Sequence, residues 1–251
     1  VAGAEAPPRG STQAPVRPLL SVEGLTVRLA NRDIVRGVSF EVPAGHVISL
    51  IGHNGAGKTS TMRALAGLER SRGSVRLGDR DVGRQGAAQR ARLGIALVPD
   101  GGRGVFAGLS VEENVRLARV GASTEDEEGD SASKLIAEIA PFIPERPRQL
   151  AGSLSGGQRQ MLALASVLGR MPRVLLLDEP SIGLAPKVVE DLMSGVRRAA
   201  QTLDLCVVLV EQDLGAALEI CDSVLIMKEG QIAARYDAAN VPPVDQLWEH
   251  F

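Results

Sequence analysis

Aromatic residues are scarce in this sequence, at 2% of the chain, and there are only two cysteines and three histidines. So few aromatic rings leave no stacking platform of the kind that holds single-stranded nucleic acid. Lysine and arginine number 28 against 30 aspartates and glutamates, so the net charge of -2 supplies no basic field for a phosphate backbone. Nucleic acid is therefore not an expected partner. Cys206 and Cys221 form no C-x-x-C and no metal-type spacing, and read as reduced, packed thiols. His46, His53 and His250 stand in no metal or triad pattern and read as ordinary surface or loop histidines. No apolar run approaches the ~20 residues needed to cross a bilayer.

What remains is the composition of a globular protein, with 44% hydrophobic and 23% charged residues. Its 251 residues suffice for one large α/β domain or two small ones. Pro7, Pro8, Pro15 and Pro18 sit among small and polar residues without an apolar core segment, so residues 1–18 read as a disordered tail and not as a signal peptide. The rest, residues 19–251, reads as one domain.

Strands are expected at 20–29, 38–42, 47–51, 73–77, 95–98, 174–177, 206–210 and 224–227. The runs at 47–51, 174–177 and 206–210 are continuously apolar, the mark of strands buried on both faces. Helical periodicity marks 59–68, 111–119, 134–142, 155–168, 186–201 and 214–220, with Pro186 in a first turn where its missing N–H does no harm. The acidic run Glu125, Asp126, Glu127 and Glu128 reads as a solvated loop. Strands alternating with helices imply a largely parallel, covered sheet.

Gly52, His53, Asn54, Gly55, Ala56, Gly57, Lys58 and Thr59 fit G-x-x-x-x-G-K-[ST] at every fixed position, between a buried strand and a helix. The glycines let the backbone wrap phosphates with its N–H groups turned inward, and the following helix adds a positive dipole end. Lys58 supplies a point charge for the outer phosphates, and the Thr59 hydroxyl is suited to Mg²⁺. Ser60 follows in the same first turn. A second constellation closes the run at 174–177, where Asp178 stands at the carboxyl end of a buried strand and can hold Mg²⁺. Glu179 is adjacent and is positioned to orient or deprotonate a water. Together the two point to a nucleoside triphosphate as substrate.

Leu154, Ser155, Gly156, Gly157 and Gln158 precede a helical run, with Ser155 as a suitable N-cap and two glycines exposing amides at a helix start. The order of this motif between the phosphate loop and Asp178-Glu179 resembles the ATP-binding-cassette family over residues 19–236. The resemblance implies a P-loop NTPase core with a mostly parallel sheet, an antiparallel β subdomain and an inserted helical subdomain at residues 100–170. It implies ATP and Mg²⁺ as cofactors, hydrolysis of the ATP, and a second cassette, identical or related, facing the first head to tail. Ser155, Gly156, Gly157 and Gln158 would then meet the γ-phosphate held by the partner. Residues 181–186 look like the family's dimer-contact loop.

Residues 98–106, 109–114, 178–186 and 209–213 are most similar to the Liv-type ATPases of branched-chain amino-acid importers. That likeness implies a cytoplasmic subunit, peripheral on the inner face of the membrane, bound to integral membrane subunits near the Asp100 loop and residues 105–113. A solute-binding protein would be an indirect partner. A cassette ATPase not coupled to transport, and a nucleotide sensor with little turnover, are the alternatives that the sequence leaves open.

Three positions depart from the family's usual pattern. Asp100 stands where a glutamine or glutamate would reach the metal, and is one methylene shorter than glutamate, which favours contact through water. Gln212 replaces the usual switch histidine; it can hydrogen-bond a γ-phosphate but cannot titrate near neutrality, which leaves Glu179 as the base. Leu29 takes the place of the aromatic residue that stacks on adenine; it can only pack, and loses roughly 0.5–1.5 kcal/mol of stacking. Trp248 and Phe251, near the end of the chain, are expected to pack on the domain or its dimer mate.

Overall fold

The computed structural model describes residues 18–99, 103–118 and 126–242. Asp100, Trp248, Phe251, Glu125 and nearly all of the proline-rich tail lie outside the described residues. Two sheets carry the fold. In the larger, β3 (Val47–Ile51), β8 (Cys206–Val210), β7 (Val174–Asp178), β6 (Ile95–Val98) and β9 (Ser223–Lys228) run parallel, and β10 (Gln231–Asp237) joins antiparallel beside β9. The smaller sheet is antiparallel, with β1 (Pro18–Leu29) between β2 (Arg32–Pro43) and β4 (Ser71–Leu77), and β5 (Arg80–Asp81) at the edge. Between Val98 and Val174 the named elements are helices: α3 (Val111–Ala118), α4 (Asp126–Ile139), α5 (Phe142–Glu145) and α6 (Gly156–Leu168).

The central strands are buried on both faces, and the period of two sorts their side chains into two cores. Val47, Leu175, Leu177, Val207 and Leu209 face α4, α6, α7 (Pro186–Thr202) and α8 (Leu214–Ile220). Ile48, Leu50, Val174, Leu176, Val208 and Val210 face the antiparallel sheet and α1 (Lys58–Leu65). Both thiols are buried, and burial pushes the Cys221 thiol up to about 11 and that of Cys206 higher still. No described helix is long and apolar enough to cross a membrane.

Several expectations are corrected. Asp126, Glu127 and Glu128 belong to α4 and not to a loop, and acidic residues suit the start of a helix because its dipole is positive there. Pro18 opens β1 in place of ending the tail, through its pairing with Pro43. Helix α1 stops at Leu65 because Gly67 turns left-handed at φ 75°. Strand β10 and helix α2 (Ala87–Arg92) have weak local signals and were not expected. Helix α2 is anchored by Arg90, only 2% exposed, whose guanidinium donates to the carbonyls of Ala64, Leu65, Gly83 and Gln85. Two of those carbonyls lie in the last turn of α1, where the helix supplies no i+4 amide; that of Ala64 also accepts from the Gly67 amide at 3.0 Å. Burial lowers the Arg90 pKa and nearby Asp81 raises it, with burial the larger effect.

Asp222 ties α7 to the sheet. Its carboxylate accepts two bonds from Arg197, at 2.7 and 2.9 Å, and one from the Val47 amide at 2.8 Å. Burial opposes its charge, but the Arg197 and Val47 hydrogen bonds and the charges of Arg197 and His46 together hold the carboxyl below its ordinary range. A carboxyl with a lowered folded pKa contributes stability that is complete above the unfolded pKa of about 3.9 and is lost as pH falls through the folded value. Asp222→Asn is therefore expected to cost about 1 kcal/mol at neutral pH, discounted for partial solvation. The gap in thermal midpoint between the two proteins, followed by circular dichroism, should close below pH ~4. A gap that stays constant into acid would refute the assignment.

Candidate functional site

The candidate site lies past the carboxyl ends of the central parallel strands, where open α/β sheets bind ligands. Strand β3 leads straight into the glycine loop. A Cβ on Gly52 would stand 2.2 Å from the Met227 carbonyl oxygen, and one on Gly57 2.8 Å from the Ile34 carbonyl oxygen. Gly57 also adopts φ 104°, a region other residues rarely enter. The loop is thus wedged between β9 and the start of β2, and its shape requires glycine at both places. His53, Asn54 and Gly55 are exposed at its tip, while Ala56, Gly57 and Lys58 are buried at its base.

Lys58 is 5% exposed, and its ammonium donates to the carbonyls of Gly52 at 2.6 Å and His53 at 3.1 Å. The lysine thus bridges the loop that it follows. Burial lowers its pKa, while the carboxylates of Glu179 and Asp178 pull it back up. Those two charges therefore sit close enough to share a site with it. Thr59 is exposed in the first turn of α1, and its hydroxyl donates to Asp178 Oδ1 at 3.3 Å. Ser60, partly buried, follows it in that turn.

Register explains why the acids meet the loop. Asp178 has the parity of Val174 and Leu176, so it faces the side where α1 begins. Asp178 pairs with Val210, so residues just past each strand emerge side by side. Glu179 turns left-handed at φ 47°, and its amide donates to the Val210 carbonyl at 2.9 Å. A non-glycine residue in that region is held there by its surroundings, a situation common at functional sites. Gln212 then reaches across, its Nε2 donating to Glu179 Oε2 at 2.9 Å. The loop, Lys58, Thr59, Asp178, Glu179 and Gln212 therefore form one cluster from distant parts of the chain.

The residues 155–158 form a separate turn. Ser155 caps α6 in a reciprocal box: its hydroxyl accepts from the Gln158 amide at 3.2 Å, and Gln158 Oε1 accepts from the Ser155 amide at 3.1 Å. The Gln158 amide is consequently engaged in the cap, and the open donors are those of Gly156 and Gly157, which have no intrahelical acceptor. A Cβ on Gly157 would meet Val188 Cγ1 at 2.7 Å, so α6 and α7 approach too closely for any other residue. Among the described residues, no hydrogen bond joins this turn to the Lys58 loop. The turn is exposed at Ser155 and Gly156, so it presents a helix start, the kind of place suited to an anion, to the outside.

Leu29 closes β1, is 41% exposed, and pairs with Arg32. Five residues further on is Ile34, whose carbonyl covers Gly57. Glu211 has no role assigned from the sequence, although it lies within residues 209–213, one of the stretches similar to the Liv-type ATPases. It is 2% exposed and accepts from the Ser181 amide at 3.0 Å, the Ser181 hydroxyl at 2.7 Å and the Gln212 amide at 3.2 Å. The available signal was an acid directly after an apolar strand, which strand patterning alone reads as a surface position.

The cluster pairs an anion cradle and a cation with carboxylates aimed at one end of it, an arrangement suited to phosphoryl transfer to water. The sequence pattern of the ABC transporter family matches residues 35–182. The chain is 36% identical over 218 residues to the high-affinity branched-chain amino acid transport ATP-binding protein BraG of Pseudomonas aeruginosa, an alignment that covers 85% of this chain and 91% of that one. It is 34% identical over 203 residues to the probable branched-chain amino acid transport ATP-binding protein LivF of Archaeoglobus fulgidus, covering 80% and 84%. The fold is similar to the ADP conformation of MJ1267, an ATP-binding cassette of an ABC transporter, with TM-score 0.80, 23% identity, and coverage of 93% of this chain and 98% of that one. A loop built to grip phosphates, set beside paired acids in this fold and in this motif order, thus has its explanation: the chain belongs to the ABC transporter family, as an ATP-binding subunit that hydrolyses ATP in the service of transport.

Proposed function

We propose that this chain energises a membrane importer for branched-chain or other amino acids or small amides, as one of two cassettes that close around ATP. The observation that carries the hydrolytic reading is the Glu179 carboxylate, held at 2.9 Å by Gln212 beside the Lys58 loop. The solute class rests on the likeness to BraG and LivF, because the cassette itself has no contact with the solute.

The loop residues Gly52, His53, Asn54, Gly55, Ala56 and Gly57 wrap the phosphates with backbone amides, and Ser60 lies in the helix start below them. Lys58 exchanges its loop carbonyls for the outer phosphate oxygens. Thr59 and Asp178 present hard oxygen donors 3.3 Å apart, a set that fits Mg²⁺, which when bound neutralises charge on the β- and γ-phosphates. Asp100 is a further candidate ligand that lies outside the described residues. Glu179 orients a water and accepts its proton as the new P–O bond forms and the β–γ bridge breaks, giving ADP and inorganic phosphate. Gln212 fixes Glu179 and offers its amide to the γ-phosphate. Leu29 packs against the base without stacking.

Two anion sites on different elements of one chain are both used if a second cassette, identical or related, faces the first. Ser155, Gly156, Gly157 and Gln158 of each would then meet the γ-phosphate held by the other, and hydrolysis would remove the bridge. Closure would push on integral membrane subunits seated near Asp100 and residues 105–113, with a solute-binding protein upstream. On this reading the chain works at the cytoplasmic face of the membrane. Phe106, 60% exposed, stands in that stretch. The test is affinity purification from detergent-solubilised membranes, followed by reconstitution with the recovered membrane subunits. The expected result is co-purification with an integral membrane protein and phosphate release that rises on reconstitution and again with solute-loaded binding protein. Full turnover by the isolated chain, unchanged by any membrane subunit, would overturn the importer reading.

A further inference from the structure

Glu211 is a buried acid whose surroundings consist of donors. The Ser181 amide approaches Oε1, and the Ser181 hydroxyl and Gln212 amide approach Oε2. Burial pushes the Glu211 carboxyl up, and hydrogen bonds from Ser181, Gln212 and the Asp213 amide draw it back. Both residues that it grips are tied to Glu179. Ser181 lies two residues beyond Glu179, and Gln212 donates to Glu179 at 2.9 Å. On its other side Ser181 borders a cavity of about 390 Å³ that Leu184, Pro186, Asp213 and Glu219 also line. Leu184, further along the loop, packs against the core, so at Ser181 itself the hydrogen bonds to Glu211 fix the chain.

We propose that Glu211 is a positioning residue for hydrolysis, clamping Ser181 and Gln212 so that Glu179 is held from both sides. This rests on Glu179 as the residue that orients water. The clamp requires a carboxylate. Whichever way an amide is turned in its place, its NH₂ faces the backbone N–H of either Ser181 or Gln212, and one donor is left opposing another. Size is unchanged, so the defect is one of alignment.

Phosphate release and ATP affinity of the full chain would be measured for Glu211→Gln, Ser181→Ala, Gln212→Ala and the double variant Glu211→Gln/Gln212→Ala. Glu211→Gln is expected to lower kcat about 10-fold while ATP affinity stays within about 3-fold, the signature of an interaction used in the chemical step and not in binding. The double variant should lose clearly less than the product of the two single losses, because one of the two arms of the clamp runs through Gln212. Parent-like kcat in Glu211→Gln, or losses that multiply in the double variant, would overturn the clamp. Should Glu211→Gln not fold, Ser181→Ala decides, since it removes one hydroxyl from a surface loop: a kcat drop of about 3-fold supports the clamp and an unchanged kcat refutes it. Glu179→Gln run alongside separates the two readings. Parent turnover there sinks the role of Glu179, whereas loss there with a normal Glu211→Gln sinks only the clamp.

Discussion

Lys58→Ala is expected to weaken ATP binding roughly 10- to 150-fold, the equivalent of one lost hydrogen bond to a charged group. Hydrolysis at saturating ATP should fall by a further ~10²–10³-fold, because the ammonium also faces charge that grows on the leaving phosphate. The side chain is 5% exposed and sits at the base of the loop, so no neighbouring cation replaces it by a small movement. Its two carbonyl partners belong to Gly52 and His53, which are partly or fully open to water, so the loop can stay folded without the lysine. Calorimetric titration with ATP, steady-state phosphate release and a thermal melt on the same preparation separate loss of contact from loss of fold. An unchanged affinity in a folded Lys58→Ala protein would remove the foundation of the nucleotide reading.

The second large effect is expected from Glu179→Gln. Glutamine has the size of glutamate and can still accept the 2.9 Å bond from Gln212, so only the charge and the basic oxygen are removed. ATP binding should be retained, while turnover falls by ~10²–10⁴-fold, the range for a lost general base. With ATP bound and not consumed, the bridging γ-phosphate persists, and a two-cassette species should accumulate in ATP on size-exclusion chromatography. Parent-level phosphate release would show that another group activates the water. A variant that stays monomeric in ATP would separate the head-to-tail arrangement from the chemistry.

The parts of the site that were readable in the sequence are those made by neighbours along the chain. The run at 47–51 and the loop after it form a strand, turn and helix start within fourteen consecutive residues at most, and the glycines report their own backbone requirement. Asp178 was readable for a similar reason, since a short apolar run places it at a strand end. The cap at Ser155 follows from S-x-x-Q spacing, although the same pattern does not reveal that the Gln158 amide is thereby engaged. Strand β10 was not readable because its alternating, partly exposed residues gain their structure by pairing with β9 at a sheet edge. Helix α2 was hidden because a charged residue, Arg90, occupies its buried position.

Which groups are available for chemistry, and in what order, is written along the chain: a phosphate loop, a capped glycine turn, then an Asp-Glu pair after a buried strand. Local backbone preference and hydrophobic period act over a few residues, and these features need nothing more. That Gln212 meets Glu179 across 33 positions, and Glu211 meets Ser181 across 30, is a product of folding. Those meetings depend on the parallel register of β7 with β8, which arises from burying both faces of the sheet at once and leaves no mark on either strand alone.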